Sequence, residues 1–269
     1  METIKKNVQS VRGTTYYWIA RNSNIDAKCI VFTHGLTANH TMFEKQVEFF
    51  KQDFTVITWD VPLHGESRPY KDFTYNNTAK DLCAILDEED IQRVILVGMS
   101  MGGYPCQAFA AAYPDRVLAF VAVDTTPFGR SYYSAFDRWV LRRVDTMARW
   151  LPEKTLKKSS AKMHTQTAYA HDLLLKMLEP LSKDDIAEQM GVAYRQFLAE
   201  NKDVHFDFPV LILVGEHDKT GKVKKYSVVW SKKEGYPLTI IKGAAHFSNA
   251  DNPADVNNAI MEFIGMRLA

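Results

Sequence analysis

Short apolar runs recur along the chain, separated by amphipathic or turn-rich sequence, and this alternation is the strongest limit on how it folds. Such runs lie at 14–20, 28–32, 54–59, 94–97, 117–123, 210–214 and 238–241, with a weaker one at 3–11. From residue 28 onward they are compact, β-branched and unalternated, as strands covered on both faces should be. Helical patterns fall between them, at 39–51, 78–88, 104–113, 221–234 and 254–266. Asn39 is placed to cap the first, which sets Phe43, Val47 and Phe50 on one face. Strands joined through helices need crossovers, so the spacing predicts an α/β fold with a mostly parallel, doubly wound sheet of about eight strands. The first two strands flank a short Arg12-Gly13 turn and read as an antiparallel edge hairpin.

The alternation stops once. Residues 126–207 contain no convincing strand, and a stretch that long is not a crossover loop. It reads as a helical cap inserted into a core made of residues 1–125 and 208–269. Tyr132, Tyr133, Trp139 and Tyr169 are candidates to line an apolar pocket beneath it. Its first part is basic, with Arg142, Arg143 and Arg149 among eight cations facing only Asp137, Asp145 and Glu153. The simplest account of such a run is a solvated helix face.

Charge and cysteine content exclude several classes. With 33 Lys+Arg against 32 Asp+Glu, the chain is not built to bind nucleic acid through phosphates. Cys29, Cys83 and Cys106 have no metal-site spacing and cannot form a disulfide framework, which fits a reducing, cytoplasmic compartment. No signal-peptide h-region opens the sequence, and no apolar run approaches the roughly 20 residues of a membrane span, so no membrane partner is expected.

Chemistry concentrates at Gly98-Met99-Ser100-Met101-Gly102, a G-x-S-x-G match after a strand and before a helix. In that context it forms a nucleophile elbow, a sharp turn whose flanks must be small because a Cβ there would meet neighbouring backbone. A serine hydroxyl needs a base. Of eight histidines, His246 alone follows the last strand, in a loop of small residues, Gly243-Ala244-Ala245. The orienting acid should follow a strand between serine and histidine. Asp218, in Gly215-Glu216-His217-Asp218, is the first choice, and Asp124, at the end of 117–123, competes. Two amides suit an oxyanion: Met101 N–H at the helix start and Leu36 N–H in the Thr33-His34-Gly35-Leu36 loop.

This ordered set resembles the α/β-hydrolase fold superfamily over nearly the whole chain. His34-Gly35-Leu36 resembles its oxyanion loop. Residues 60–67, Asp-Val-Pro-Leu-His-Gly-Glu-Ser, resemble its D-x-P-G-H-G-x-S loop, departing at Leu63 where glycine is usual. Gly215 to Asp218 resembles its G-x-x-D acid loop, and the strandless stretch falls where the family keeps a helical cap. The resemblance implies a serine hydrolase with Ser100, Asp218 and His246 as catalytic residues and Leu36 and Met101 as oxyanion donors. It implies no cofactor and no metal. A small carboxylic ester is the expected substrate. The same machinery also serves thioesters, lactones, some amides, C–C bonds beside ketones and menaquinone-pathway-type lyases, and a small-molecule receptor can retain it. A serine at the elbow, where an aspartate would be needed, argues against a dehalogenase or epoxide hydrolase.

Overall fold

The computed structural model describes residues 2–268. Its centre is an eight-stranded sheet in the order β1-β2-β4-β3-β5-β6-β7-β8. The strands are β1 (Ile4–Ser10), β2 (Gly13–Ala20), β3 (Cys29–Thr33), β4 (Thr55–Trp59), β5 (Val94–Met99), β6 (Val117–Val123), β7 (Val210–Gly215) and β8 (Leu238–Ile241). β2 is antiparallel to β1 and β4, and all other pairs are parallel. The helices are α1 (Glu44–Phe50), α2 (Tyr75–Glu88), α3 (Gly103–Ala112), α4 (Ala135–Leu141), α5 (Val144–Arg149), α6 (Glu153–His164), α7 (Ala168–Leu178), α8 (Lys183–Glu200), α9 (Val223–Glu234), α10 (Ser248–Asp251) and α11 (Pro253–Leu268).

The unalternated strands are buried on both faces except β8, which lies at the sheet edge with Thr239 and Ile240 exposed. β3, β4, β5 and β7 have no exposed residue, and successive side chains feed opposite layers: Ile95 and Val97 pack on one side, Leu96 on the other. α2, α3 and α9 cover the Leu96 side, and α1 and α11 cover the Ile95 side. The helical pattern at 39–51 is divided in two. Asn39 caps a 3₁₀ turn over His40–Phe43, accepting from Thr41 N–H, and α1 follows.

Five helices, α4–α8, occupy the chain between β6 and β7. Their apolar side chains join the two clusters that also contain the side chains of the sheet. Phe128, Tyr133, Ala193 and Phe197 belong to the cluster of Leu96, and Ala161, Leu174, Met177 and Ile186 to that of Ile95. α8 therefore contributes to both clusters along its length, about 27 Å for 18 residues. On the way its Gln189 donates to the Leu63 carbonyl in the loop after β4.

The order of the strands positions the site. From β3 the chain moves outward to β4, then returns to lay β5 on the other side of β3. Such a switch point leaves a crevice beyond the carboxyl ends of the two neighbouring strands. Thr33 pairs with Gly98 at that end, so the loops after β3 and β5 emerge side by side.

Candidate active site

Ser100 follows β5 with φ +51, a left-handed conformation that a non-glycine residue adopts only when its surroundings enforce it. The flanking glycines permit the close packing that surrounds it. A Cβ at Gly102 would lie 2.1 Å from the Thr33 carbonyl oxygen and 2.4 Å from that of His34. One at Gly98 would lie 2.7 Å from the Gly102 carbonyl oxygen. Thr125, just past β6, braces the turn by donating its hydroxyl to the Ser100 carbonyl at 2.6 Å.

Ser100, His246 and Asp218 meet although 146 and 28 residues separate the bonded pairs. His246 Nδ1 lies 2.9 Å from Asp218 Oδ2, and His246 Nε2 lies 2.8 Å from Ser100 Oγ. Burial pushes the Asp218 carboxyl up, but the hydrogen bond and charge of His246 outweigh it and hold it below the ordinary range. An ionised carboxylate only accepts, so Nδ1 carries the proton and Nε2 is left to accept from the serine. Burial pulls His246 down, and the bond and charge of Asp218, with the charge of Asp124, more than reverse it, so its pKa is raised. The second Asp218 oxygen accepts from Thr220 N–H at 2.8 Å.

The other sequence candidates have structural places. Asp124 does not bond His246. Its Oδ1 accepts from Gly215 N–H at 2.7 Å, and its Oδ2 from Ser248 N–H at 3.2 Å and from the Ser248 hydroxyl. It thus ties the acid loop to the segment carrying His246. Burial, reinforced by Asp218, pushes its carboxyl up to about 7 against the opposing His246 charge. His34 is fully buried; its Nδ1–H donates to the Gly35 carbonyl at 2.7 Å and its Nε2 accepts from Val61 N–H at 3.0 Å. Burial lowers its pKa to about 4, so it stays neutral and braces the loop. His64 Nδ1 lies 3.1 Å from the Pro62 carbonyl oxygen, which can only accept, so that nitrogen donates. Leu63, where glycine is usual, sits at φ +70: the turn keeps the left-handed form that glycine adopts without strain.

The loop bearing Leu36 passes close to the nucleophile. A Cβ at Gly35 would lie 3.4 Å from the Ser100 Cβ and 3.0 Å from Met99 Sδ. Met101 stands in the 3₁₀ turn Ser100–Gly102, at the start of a helix whose first amides have no intrahelical acceptor.

Two features escaped sequence reading because they join distant segments. His164, at the end of α6, packs against His246 with ring centroids 5.3 Å apart, and its carbonyl accepts from Phe247 N–H at 2.9 Å. Asp251 accepts from Gln166 N–H (2.8 Å) and Thr167 N–H (2.9 Å) through one oxygen and from Ala245 N–H (2.9 Å) through the other. The α6–α7 turn is thereby fastened to the His246 loop. Of the aromatics proposed as pocket lining, Tyr133 is core, with its hydroxyl on Thr126 and the Pro127 carbonyl. Tyr132 and Tyr169 bond Glu234 and Glu44, and Trp139 is half exposed.

The family model described as alpha/beta hydrolase fold matches residues 28–253. The chain belongs to this family. Among curated relatives, it is 26% identical to the 2-(acetamidomethylene)succinate hydrolase of Mesorhizobium japonicum, over 87% of each chain. It is 24% identical to 3-oxoadipate enol-lactonase 2 of Acinetobacter baylyi, over 87% of this chain and 88% of that one. A thermophilic esterase from Thermogutta terrifontis superposes with a TM-score of 0.78 at 21% identity, covering 99% of both chains, a likeness of fold. These relatives are named as hydrolases, consistent with an alpha/beta hydrolase here.

Proposed function

We propose that this alpha/beta hydrolase is a serine hydrolase acting on a small carboxylic ester, with water as the final acyl acceptor. The observation that carries the reading is the continuous relay from Ser100 Oγ through His246 to Asp218, at 2.8 and 2.9 Å. Ser100 Oγ attacks the ester carbonyl and its proton passes to His246 Nε2. Asp218 keeps the imidazole in one tautomer and stabilises the imidazolium. The Leu36 and Met101 amides receive the oxyanion, where one donor is typically worth about 2.7–4 kcal/mol. The alcohol leaves with the His246 proton. Water, deprotonated by His246, then attacks the acyl-enzyme, and Ser100 departs with its proton restored.

Residues 126–207 act as the cap that shapes the acyl and alcohol sites, with His164 facing the base. Burial, aided by the His246 charge, lowers the His164 pKa to about 4, so it stands beside the base as a neutral imidazole. The cysteines are all unpaired, in keeping with a reducing, cytoplasmic setting.

The test is turnover of a chain-length series of p-nitrophenyl esters together with stoichiometric labelling of Ser100 by a fluorophosphonate. Turnover and labelling, both lost in Ser100→Ala, support the reading. Labelling without ester turnover points to C–C, thioester or lyase chemistry on the same serine. Neither turnover nor labelling points to a receptor.

A further inference from the structure

The basic stretch that opens the helices between β6 and β7 has an apolar counterpart on its surface. Thirteen large hydrophobic side chains are exposed among the described residues, and five of them lie within 136–151: Phe136, Trp139, Met147, Trp150 and Leu151. Trp150 is 77% and Phe136 65% exposed. They stand three and four residues apart, Phe136 and Trp139 on α4, and Met147, Trp150 and Leu151 on and just after α5. That spacing places each set on one helix face. Phe136 and Trp139 stack at 6.0 Å, and the Arg143 guanidinium lies 4.3 Å from the Trp139 ring centroid.

Charge along this segment of the chain is one-sided, although α8 brings Asp184 to Arg149. Residues 130–158 hold eight basic and three acidic side chains, whereas the rest of the chain holds 25 basic and 29 acidic. The three acids are already engaged: Asp137 by Lys222, Asp145 by Arg195 and Glu153 by Lys157. Arg130, Arg138, Arg142, Arg143, Lys154 and Lys158 have no carboxylate within ion-pair distance among the described residues. A solvated face explains the cations but not large aromatics exposed among them.

We infer that α4, α5 and the segment to Lys158 form a docking face for the surface of an anionic phospholipid bilayer. Interfacial helices combine these two features, with tryptophan and phenylalanine entering the headgroup boundary and lysine and arginine meeting anionic headgroups. The six cations without an ion pair supply the complementary charge, and the exposed rings supply the inserting surface. The contact is one of surface docking; no helix of the described residues is long and apolar enough to cross a membrane. The sequence expectation of no membrane partner rested on the absence of a span, a criterion that says nothing of surface attachment.

The test is co-sedimentation of the full chain with vesicles of phosphatidylcholine alone or mixed with phosphatidylglycerol, so it does not depend on the activity of Ser100. Binding should favour the anionic vesicles by more than tenfold and weaken as salt rises. Each basic residue at such a surface is worth about fivefold in partition. Arg142→Glu with Arg143→Glu should therefore lower binding more than tenfold, and Trp150→Ser should weaken it further. Lipids brominated near the headgroup should quench the fluorescence of Trp139 and Trp150, the tryptophans that are exposed. The quenching and salt titration use unaltered protein and decide the matter even if a variant misfolds. Equal binding to both vesicle types, or no binding, overturns the inference. A concentration-dependent dimer abolished by Trp150→Ser, with no vesicle binding, assigns the face to a second copy of the chain instead.

Discussion

Replacing Gly102 with alanine tests the contact between the elbow and the loop that carries Leu36. The added Cβ would sit 2.1 Å from the Thr33 carbonyl oxygen and 2.4 Å from the His34 carbonyl oxygen, both backbone atoms that no rotamer change can move. Restoring ordinary contact requires a displacement of about 1 Å between the elbow and residues 33–34. Overpacking of this kind costs about 1–3 kcal/mol of stability, a large part of the roughly 5–15 kcal/mol of a typical domain. The catalytic effect is separable from it. The displaced segment leads directly into Gly35 and Leu36, and a misplacement of about 1 Å at a reacting centre costs about a hundredfold in rate. Urea unfolding gives the stability, and kcat for p-nitrophenyl acetate under folding conditions gives the rate. Gly221→Ala is the control, since φ there is +50 but nothing lies within 4 Å of the new Cβ. It should lose about 1 kcal/mol and no activity. A folded Gly102→Ala protein with unchanged kcat would refute the idea that the Thr33–Leu36 loop serves the reaction.

Asp218→Asn should lower kcat by about 10⁴-fold, because the amide favours the wrong imidazole tautomer. Asp124→Asn should lose about 1–3 kcal/mol of stability and far less kcat, since Asp124 bonds Gly215 and Ser248 and not the base; the reverse order would make Asp124 the orienting acid. The raised pKa of His246 fixes a pH dependence: the base works only when neutral, so kcat/KM should fall as pH drops through a midpoint above the ordinary histidine value. In Asp218→Asn that midpoint should move to lower pH, and an unmoved midpoint would detach Asp218 from His246. Asp251→Ala strands the amides of Gln166, Thr167 and Ala245, and should cost about 3 kcal/mol in chemical unfolding while loosening both the α6–α7 turn and His246.

The residues of the relay were legible because each obeys a local rule. The elbow announces itself through Gly98 and Gly102, whose missing Cβ atoms face backbone at under 3 Å. Asp218 and His246 follow strands, and parallel strands deliver the loops at their carboxyl ends to one edge of the sheet. Strands β3 to β7 were readable for a related reason: burial on both faces compresses them into short apolar runs, whereas β8 at the sheet edge is half exposed. The strut made by Asp124 was half visible, as a carboxylate at the end of β6, but its partners Gly215 and Ser248 are 91 and 124 residues away. His164 carried no signal at all, because a histidine ending an exposed helix looks alike whether or not it meets His246. For the strandless stretch, helical periodicity shows which face is apolar but not what it packs on. Ile186 and Phe197 lie on one helix yet belong to different apolar clusters.

The central claim is an acyl-enzyme on Ser100. Mixing the protein with excess p-nitrophenyl acetate, quenching in acid within the first turnover and mapping the acetyl group by peptide mass spectrometry tests it most directly. The account predicts a burst of p-nitrophenol stoichiometric with enzyme and the acetyl group on Ser100, both abolished in Ser100→Ala. Acetyl on another residue, or turnover that survives in Ser100→Ala, would contradict it.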